Sequence, residues 1–197
     1  MFLILTSEST TELLTMDEIK LFLRISTSAT TEDALLSALS IVARKEVQQK
    51  ICRQLVPAKY ELKLDDFPGE EIIRMPYAPM IYTGTSDVTI TYLNGTGVAT
   101  TLPSSDYTVS YTSEPAEIYP EYEHEWPTDV VDRRNAVSIS YRCGYSTSNP
   151  VPENIKTWMK MRIATLYENR EMISETKMSE MPGNFIDGLL DPYLVTI

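Results

Sequence analysis

Histidine and cysteine are nearly absent from this chain of 197 residues, which has one histidine and two cysteines. Zinc sites and Ser-His-Asp triads are built on these residue types, so few arrangements of either kind can form. The chain also lacks the G-x-S-x-G motif of hydrolases and the glycine-rich phosphate loop that ends in Gly-Lys. We therefore predict a protein with no catalytic residues, no metal and no cofactor.

Long hydrophobic runs are absent as well, because no stretch of about 18 apolar residues occurs. The short run Met1–Leu5 has neither the basic flank nor the cleavage site of a signal peptide. We expect no membrane contact and no export. Cys52 and Cys143 are then expected to be free thiols in a reducing compartment, with a disulfide between them as the alternative.

Negative charge is in excess and unevenly spread, with a net charge of −11. Residues 57–134 hold 14 acidic and 5 basic side chains, whereas residues 135–170 hold 2 acidic and 5 basic. The acidic middle of the chain should repel phosphate, which argues against sequence-specific DNA binding. An acidic surface past which DNA slides without binding is still compatible with this charge.

Two periodicities of apolar residues predict the fold class. A period near 3.6 predicts helices at residues 15–23, from Thr30 or Thr31 to about Leu55, and at 153–172. A period of two predicts the strands, which are 60–65, 70–75, 88–92, 98–102, 107–111 and 137–143. We predict an α+β fold in which N-terminal helices and a C-terminal amphipathic helix pack with an antiparallel sheet and hairpin region. The boundaries predict one domain over 1–197, with an N-terminal arm at 1–14 and a docking tail at about 173–197.

The helix that starts at residue 153 has a clear apolar stripe, made of Ile155, Trp158, Met159, Ile163, Leu166 and Tyr167. The simplest interpretation is a helix that packs on the core. The alternative is that part of it contacts a neighbouring chain. The candidates for that contact are Trp158, Arg162, Tyr167 and Arg170.

One turn and one loop are candidate contact sites. Asn94-Gly95 is a strong hairpin signal. A loop of 24 residues, Thr112–Asn135, precedes the last strand, and loops of this length are usually functional or mobile. Its aromatic residues Tyr119, Tyr122 and Trp126 suit a contact with another protein, although Trp126 could instead anchor the loop on its own domain.

Three further groups have a plain interpretation and a sharper one. His124 stands among glutamates, so it is either a solvated loop residue or a metal ligand. The pairs Asp65-Asp66 and Glu70-Glu71 flank a turn, which suggests a charged hairpin tip and, as the alternative, a hydrolase pair. The C-terminal segment Phe185–Tyr193 is apolar for a terminus and should dock on its own domain or on a partner.

The order of these elements and several local strings resemble the head–tail connector proteins of tailed bacteriophages, also called adaptor or head completion proteins. The resemblance covers roughly Thr15 to Tyr193. It depends on strings at 21–25, 31–36, 60–68, 73–79, 106–109, 141–145, 151–155, 166–171 and 189–193. Each string is weak alone, and their order and spacing together are specific.

The resemblance implies a non-enzymatic structural protein that acts in virion assembly and DNA packaging. Such proteins form a ring of about twelve copies on the portal protein at one capsid vertex. The ring extends the DNA channel and receives the next tail-side connector or the tail terminator. The resemblance places the chain in the virion at the head–tail junction, after assembly in the host cytoplasm. It assigns portal or neighbour docking to Leu189–Tyr193, and subunit or tail-side contacts to the long loop and the Asn94-Gly95 hairpin.

Two other functions remain open from the sequence. One is a β-rich module of a phage tail or surface structure that binds carbohydrate or protein through the aromatic loop. The other is a small hydrolase that uses acidic residues. The flanking helices and the apolar C-terminal segment favour the connector.

Overall fold

The computed structural model describes residues 1–69, 72–84, 87–169 and 186–195. In these residues, three helices and two antiparallel sheets make an α+β fold, which confirms the predicted class. The helices are α1 (Met16–Phe22), α2 (Asp33–Ile51) and α3 (Glu153–Glu168). The strands are β1 (Phe2–Glu8), β2 (Ala58–Leu64), β3 (Ile73–Met75), β4 (Thr89–Leu93), β5 (Ala99–Thr101), β6 (Tyr107–Ser110), β7 (Ala116–Pro120) and β8 (Val137–Cys143).

The start of α1 follows the predicted capping box. The Thr15 hydroxyl accepts from the Glu18 amide at 3.2 Å, and the Glu18 carboxylate accepts from the Thr15 amide at 2.7 Å. The start of α2 differs from the prediction, because Glu32 rather than a threonine is the N-cap and has no side-chain capping bond. The helix ends at Cys52, whose φ of 54° is left-handed, so the predicted extension to Leu55 is too long.

The strands form a five-stranded sheet in the order β1-β2-β8-β4-β5 and a three-stranded sheet in the order β3-β7-β6. Alternation along β8 is complete, with Val137, Ile139, Tyr141 and Cys143 buried and the residues between them more exposed. The inward residues of both sheets form one apolar core that includes Leu62, Met75, Ile90, Ile118 and Ile139. The sheets therefore pack face to face, as in a β-sandwich.

A second apolar core lies among the helices. It is built from Leu36, Val47 and Ile51 of α2 and Ile155 and Met159 of α3. α1 joins this core through Ile19, and its Lys20, which is 2% exposed, pairs with Asp33 at 2.6 Å. The chain thus has a helical half and a sheet half.

Two segments for which the sequence predicted no strand contain one. The predicted extended arm at 1–14 includes an edge strand, because Phe2–Glu8 pairs with Ala58–Lys63 of β2. The predicted 24-residue loop contains β7, which pairs with both β3 and β6. Both errors have one cause, since pairing partners far away in the chain decide whether an extended segment becomes a strand.

The turns and cysteines complete the comparison. The hairpin at Asn94 is present, but the turn is longer than a two-residue loop, and the residue with positive φ is Gly97 (78°), not Gly95. The predicted strand at 70–75 begins later, because β3 is Ile73–Met75 and the described Ile72 lies outside it. Cys52 and Cys143 are free, so the disulfide alternative does not hold.

Candidate assembly surfaces

A buried ionic cluster joins the N-terminal strand to α2, and we call it the Arg44 cluster. Arg44, only 4% exposed, donates to Glu8 at 3.1 Å, to Glu12 at 3.1 and 3.2 Å, and to Gln48 at 3.0 Å. Gln54 continues the cluster, donating to Glu8 at 2.8 Å and accepting from Gln48 at 2.9 Å. A buried charge with this many partners is fully compensated, so the cluster fixes where the strand meets the helix.

The charge state of Glu8 follows from these contacts. Burial alone would raise the pKa of Glu8, but hydrogen bonds from Lys45 and Gln54 and the charge of Arg44 outweigh burial and lower this pKa. Sequence analysis missed the cluster. The available signal was an arginine at position 44 on the buried face of α2, between Ser40 and Gln48.

The end of α2 is tied to two distant segments by Arg53, which is 6% exposed. Its guanidinium pairs with the Glu114 carboxylate, with one contact at 2.8 Å, and its Nε donates to the Tyr193 carbonyl at 2.6 Å. Burial would lower the pKa of Arg53, but the hydrogen bond to Glu114 helps to raise it above its ordinary value. Arg53 thus holds the β6–β7 connection and the C-terminal segment together.

The C-terminal segment docks on its own chain. Leu190 is 1% exposed within the helical core, and the Val195 amide donates to the Ile51 carbonyl at 3.1 Å. Asp187 accepts from Trp158 Nε1 at 3.1 Å and from Lys50 Nζ at 2.5 Å. The lysine hydrogen bond, together with the one from the indole, lowers the pKa of Asp187 despite partial burial.

The predicted docking residues of this segment differ in how far they are buried. Leu190 faces the subunit core, and Leu189 and Tyr193 are half-buried. Asp191 and Pro192 are exposed in a short 3-10 turn, Asp191–Tyr193. A surface for a partner is available at the exposed pair. The part of the predicted tail at 173–185 lies outside the described residues.

The three aromatic residues predicted as contacts in the long loop differ in burial. Trp126 is 4% exposed and stacks on Phe67 with centroids 5.1 Å apart, so it anchors the loop on its own domain. Tyr119 on β7 is 38% exposed, and Tyr122 is 82% exposed at a turn. Tyr119 and Tyr122 therefore keep free surface for a contact between chains, and Trp126 does not.

The Asn94-Gly95 turn is held by local hydrogen bonds. The Asn94 side chain accepts from the Thr96 amide at 3.2 Å and from the Val98 amide at 2.9 Å. A Cβ at Gly95 would lie 3.6 Å from the Asp129 carbonyl oxygen, which is ordinary contact. The turn is a defined surface feature, and its contact with another chain stays a prediction.

The helix candidates on α3 mostly contact their own subunit. Trp158 is 5% exposed in the helical core. Arg162 donates to Glu46 at 2.6 and 3.0 Å, and this carboxylate raises the pKa of Arg162. Tyr167 donates to Glu32 at the start of α2. Arg170 lies outside the described residues. The contacts of Trp158, Arg162 and Tyr167 within their own subunit therefore favour the interpretation that α3 packs on the core.

Groups with reactive chemistry are few in the described part of the chain. Burial raises the pKa of the Cys143 thiol and of the Tyr141 and Tyr60 hydroxyls, which keeps all three protonated. His124 is half-exposed, 3.8 Å from Asp106. No three His, Cys, Asp or Glu side chains of the described residues come together as metal ligands would. Within the same residues, no helix is both long and apolar enough to cross a membrane.

Comparison with known proteins gives a match in structure alone. No protein-family model and no curated protein sequence matches the chain. Its fold is similar to that of a chain in the virion of a native gene transfer agent particle, with a TM-score of 0.76 and 17% identity. It is also similar to a chain in the neck of the empty gene transfer agent particle computed with C6 symmetry, with a TM-score of 0.75 and 18% identity. A chain in the neck of the native particle computed with C12 symmetry matches with a TM-score of 0.68 and 17% identity. Each match covers 100% of this chain and 97% of the other.

Proposed function

We propose that this protein is a connector subunit at the head–tail junction of a phage-like particle. About twelve copies form a ring on the portal protein and extend the DNA channel toward a tail-side connector or a tail terminator. The protein acts as a structural component and not as an enzyme, and it reaches the virion after assembly in the host cytoplasm.

The observation that carries this proposal is the fold match over the whole chain. Two of the matched structures are particle necks computed with sixfold and twelvefold symmetry. Coverage of 100% of this chain and 97% of each matched chain includes the flanking helices as well as the sheets. A carbohydrate- or protein-binding β module, which is the alternative function, does not require those helices.

The charge of the chain supports the same role. Each copy has a net charge of −11, and a ring multiplies this charge around its channel. Because phosphate is repelled by such a wall, DNA passes without sequence-specific binding.

We also propose that the C-terminal turn contacts the portal protein through its exposed residues Asp191 and Pro192. Leu190, Asp187 and Val195 hold the turn on the subunit, so deletion of residues 187–197 would remove core contacts as well as the docking surface. The sharper test is the double substitution Asp191→Ala and Pro192→Ala. It should weaken portal binding and leave the melting temperature unchanged.

The experiment that tests the proposed function is light scattering over a concentration series, with negative-stain images of the largest species and a pull-down on purified portal rings. Closed rings of about twelve copies, or rings that form only on the portal, are the expected results. A chain that stays monomeric and does not bind portal rings would contradict the proposal and favour the binding module.

A further inference from the structure

The exposed pair Asp191 and Pro192 lies between two anchors of the C-terminal segment. Before the pair, Leu190 is 1% exposed in the helical core. After it, the Val195 amide donates to the Ile51 carbonyl of α2 at 3.1 Å. These anchors fix the two ends of the turn, so the contacts between them decide which way the exposed pair faces.

A single side chain bonds to the turn between those anchors. Among the described residues, the stretch from Asp191 to Leu194 makes one hydrogen bond to another segment, in which Arg53 Nε donates to the Tyr193 carbonyl at 2.6 Å. This carbonyl belongs to the residue directly after Pro192, so a shift of the bond shifts the exposed pair with it. Arg53 therefore sets the orientation of the turn.

The direction of Arg53 Nε depends in turn on Glu114, in the connection between β6 and β7. The guanidinium is a rigid plane, so fixing its two terminal nitrogens also fixes where Nε points. Both terminal nitrogens donate to the Glu114 carboxylate, one of them at 2.8 Å. A bidentate pair of this kind has a defined geometry, and here it leaves Nε to bond the Tyr193 carbonyl.

Burial makes Arg53 dependent on this carboxylate. The residue is 6% exposed, and its other electrostatic neighbour is the uncharged hydroxyl of Tyr145. In the described part of the chain, Glu114 is the one ion-pair partner of Arg53. A buried cation that loses its counter-ion is driven toward water, and its remaining bonds, including the one to Tyr193, are weakened.

We propose that Glu114 is a positioning residue for portal docking, because it orients Arg53 and Arg53 holds the turn that presents Asp191 and Pro192. This inference rests on the proposed contact between that turn and the portal protein. It adds a residue of the sheet half, 77 positions before Asp191 in the chain, to those that determine the contact. Glu114 acts through Arg53 and not by touching the portal.

The test replaces the carboxylate by an amide of the same shape. Glu114→Gln keeps the size of the side chain and removes its charge and one acceptor oxygen. Because the Glu114 side chain is 40% exposed, the fold should tolerate the change, and circular dichroism melts check this. Glu117→Gln is the matched control, since it makes the same charge change on β7, where Glu117 pairs with Arg74, whose side chain is 70% exposed.

Three properties are measured in each variant. One is the dissociation constant for purified rings of the portal protein from the same particle. Another is amide exchange over residues 186–195. The third is the Nε–H signal of Arg53 in heteronuclear NMR spectra, because a hydrogen-bonded Nε–H exchanges slowly with water. A general loss of stability would not select this one group.

In Glu114→Gln the dissociation constant should rise at least about fivefold, the lower end for coupling between two sites. Exchange over residues 186–195 should become faster, and the slow Arg53 Nε–H signal should be lost. Glu117→Gln should show none of these changes. Arg53→Lys keeps the charge and lacks the rigid fork, so it should weaken portal binding similarly. This second variant carries the test if Glu114→Gln does not fold.

The outcomes separate failure of the positioning role from failure of the proposed function. Normal portal binding by Glu114→Gln, with weak binding by the double variant Asp191→Ala and Pro192→Ala, would overturn the positioning role and leave the docking turn standing. Weak binding by Glu114→Gln with an unchanged Arg53 Nε–H signal would also overturn it, because Glu114 would then act by direct contact. Normal binding by the double variant would contradict the docking turn, and this inference with it. No portal binding by the unmodified chain would contradict the proposed function as well.

Discussion

Removal of the Arg44 guanidinium should destabilise the fold. In Arg44→Met the side-chain volume is largely kept, but Glu8 and Glu12 lose their shared cation. Loss of one partner of a buried ion pair costs about 3–5 kcal/mol. Because the Glu8 and Glu12 side chains are 18% and 24% exposed and Glu8 keeps Lys45, we expect a smaller loss of about 2–3 kcal/mol in the free energy of unfolding.

Urea denaturation followed by circular dichroism measures this loss as a lower midpoint with an unchanged slope. Arg142→Met is the matched control, because Arg142 is 50% exposed and pairs with Asp87 at 3.5 Å. An exposed pair of this kind contributes at most about 1 kcal/mol. Amide exchange in β1 should accelerate in Arg44→Met and not in the control.

A further variant tests the reason for the effect. If unpaired carboxylates cause the loss, then adding Glu8→Gln and Glu12→Gln to Arg44→Met should recover most of the lost stability. Equal unfolding free energies for Arg44→Met and the Arg142 control would refute the reasoning. So would a triple variant as unstable as the single one, because the cost would then come from packing and not from charge.

Acid should weaken the same contact. The pKa of Glu8 in the folded chain lies below its ordinary value of 4.5. Its contribution is therefore present above about pH 4.5 and is lost as pH falls through the folded value. Arg44→Met should make unfolding less dependent on pH in this range.

The remaining predictions concern three other contacts. Gly144→Ala should cost at least about 2 kcal/mol, because φ is 120° and a Cβ would lie 2.4 Å from the Val56 carbonyl oxygen. Trp126→Ala should cost about 3–5 kcal/mol, measured by denaturation, because it empties the stack on Phe67. Asp187→Asn should cost under about 1 kcal/mol but speed amide exchange over residues 186–195, since its carboxylate is 38% exposed.

Each of these has a control. Gly84→Ala has no atom within 4 Å of its new Cβ and should be neutral, so an equal loss there would contradict the steric argument for Gly144. Tyr122→Ala removes a side chain that is 82% exposed and should not change the unfolding free energy. The pKa of Asp187 in the folded chain is lowered, and below that pKa the carboxylate is protonated, so the ion pair with Lys50 is lost. In that pH range, amide exchange over residues 186–195 should be the same in Asp187→Asn and in the unmodified chain.

Local signals in the sequence predicted the fold class and many of its elements. The capping box at Thr15 and Glu18 fixed the start of α1, and the alternation from Val137 to Cys143 gave β8 without error. These features depend on neighbours within a few residues of the same chain. They are set by hydrogen bonding at a helix start and by the period of two in a strand, so the sequence alone determined them.

The tertiary structure decided the faces and the pairing. Leu35 and Val42 of α2 are exposed although both are apolar, because the helix buries only the side that meets the helical core, which includes Leu36 and Val47. The sequence left open whether Trp126 packs on its own domain or contacts another protein. Its stack on Phe67, which lies 59 residues earlier in the chain, shows that it packs on its own domain.

The strand at 116–120 and the Arg44 cluster have the same origin. β7 forms because β3 and β6 flank it, and Arg44 is tolerated on a buried helix face because Glu8 and Glu12 reach it from 36 and 32 residues away. The sequence by itself thus determined the segments with a clear local pattern, such as α1 and β8. Only the folded chain decided which surfaces remained apolar and exposed, because burial depends on contacts between residues far apart in the sequence.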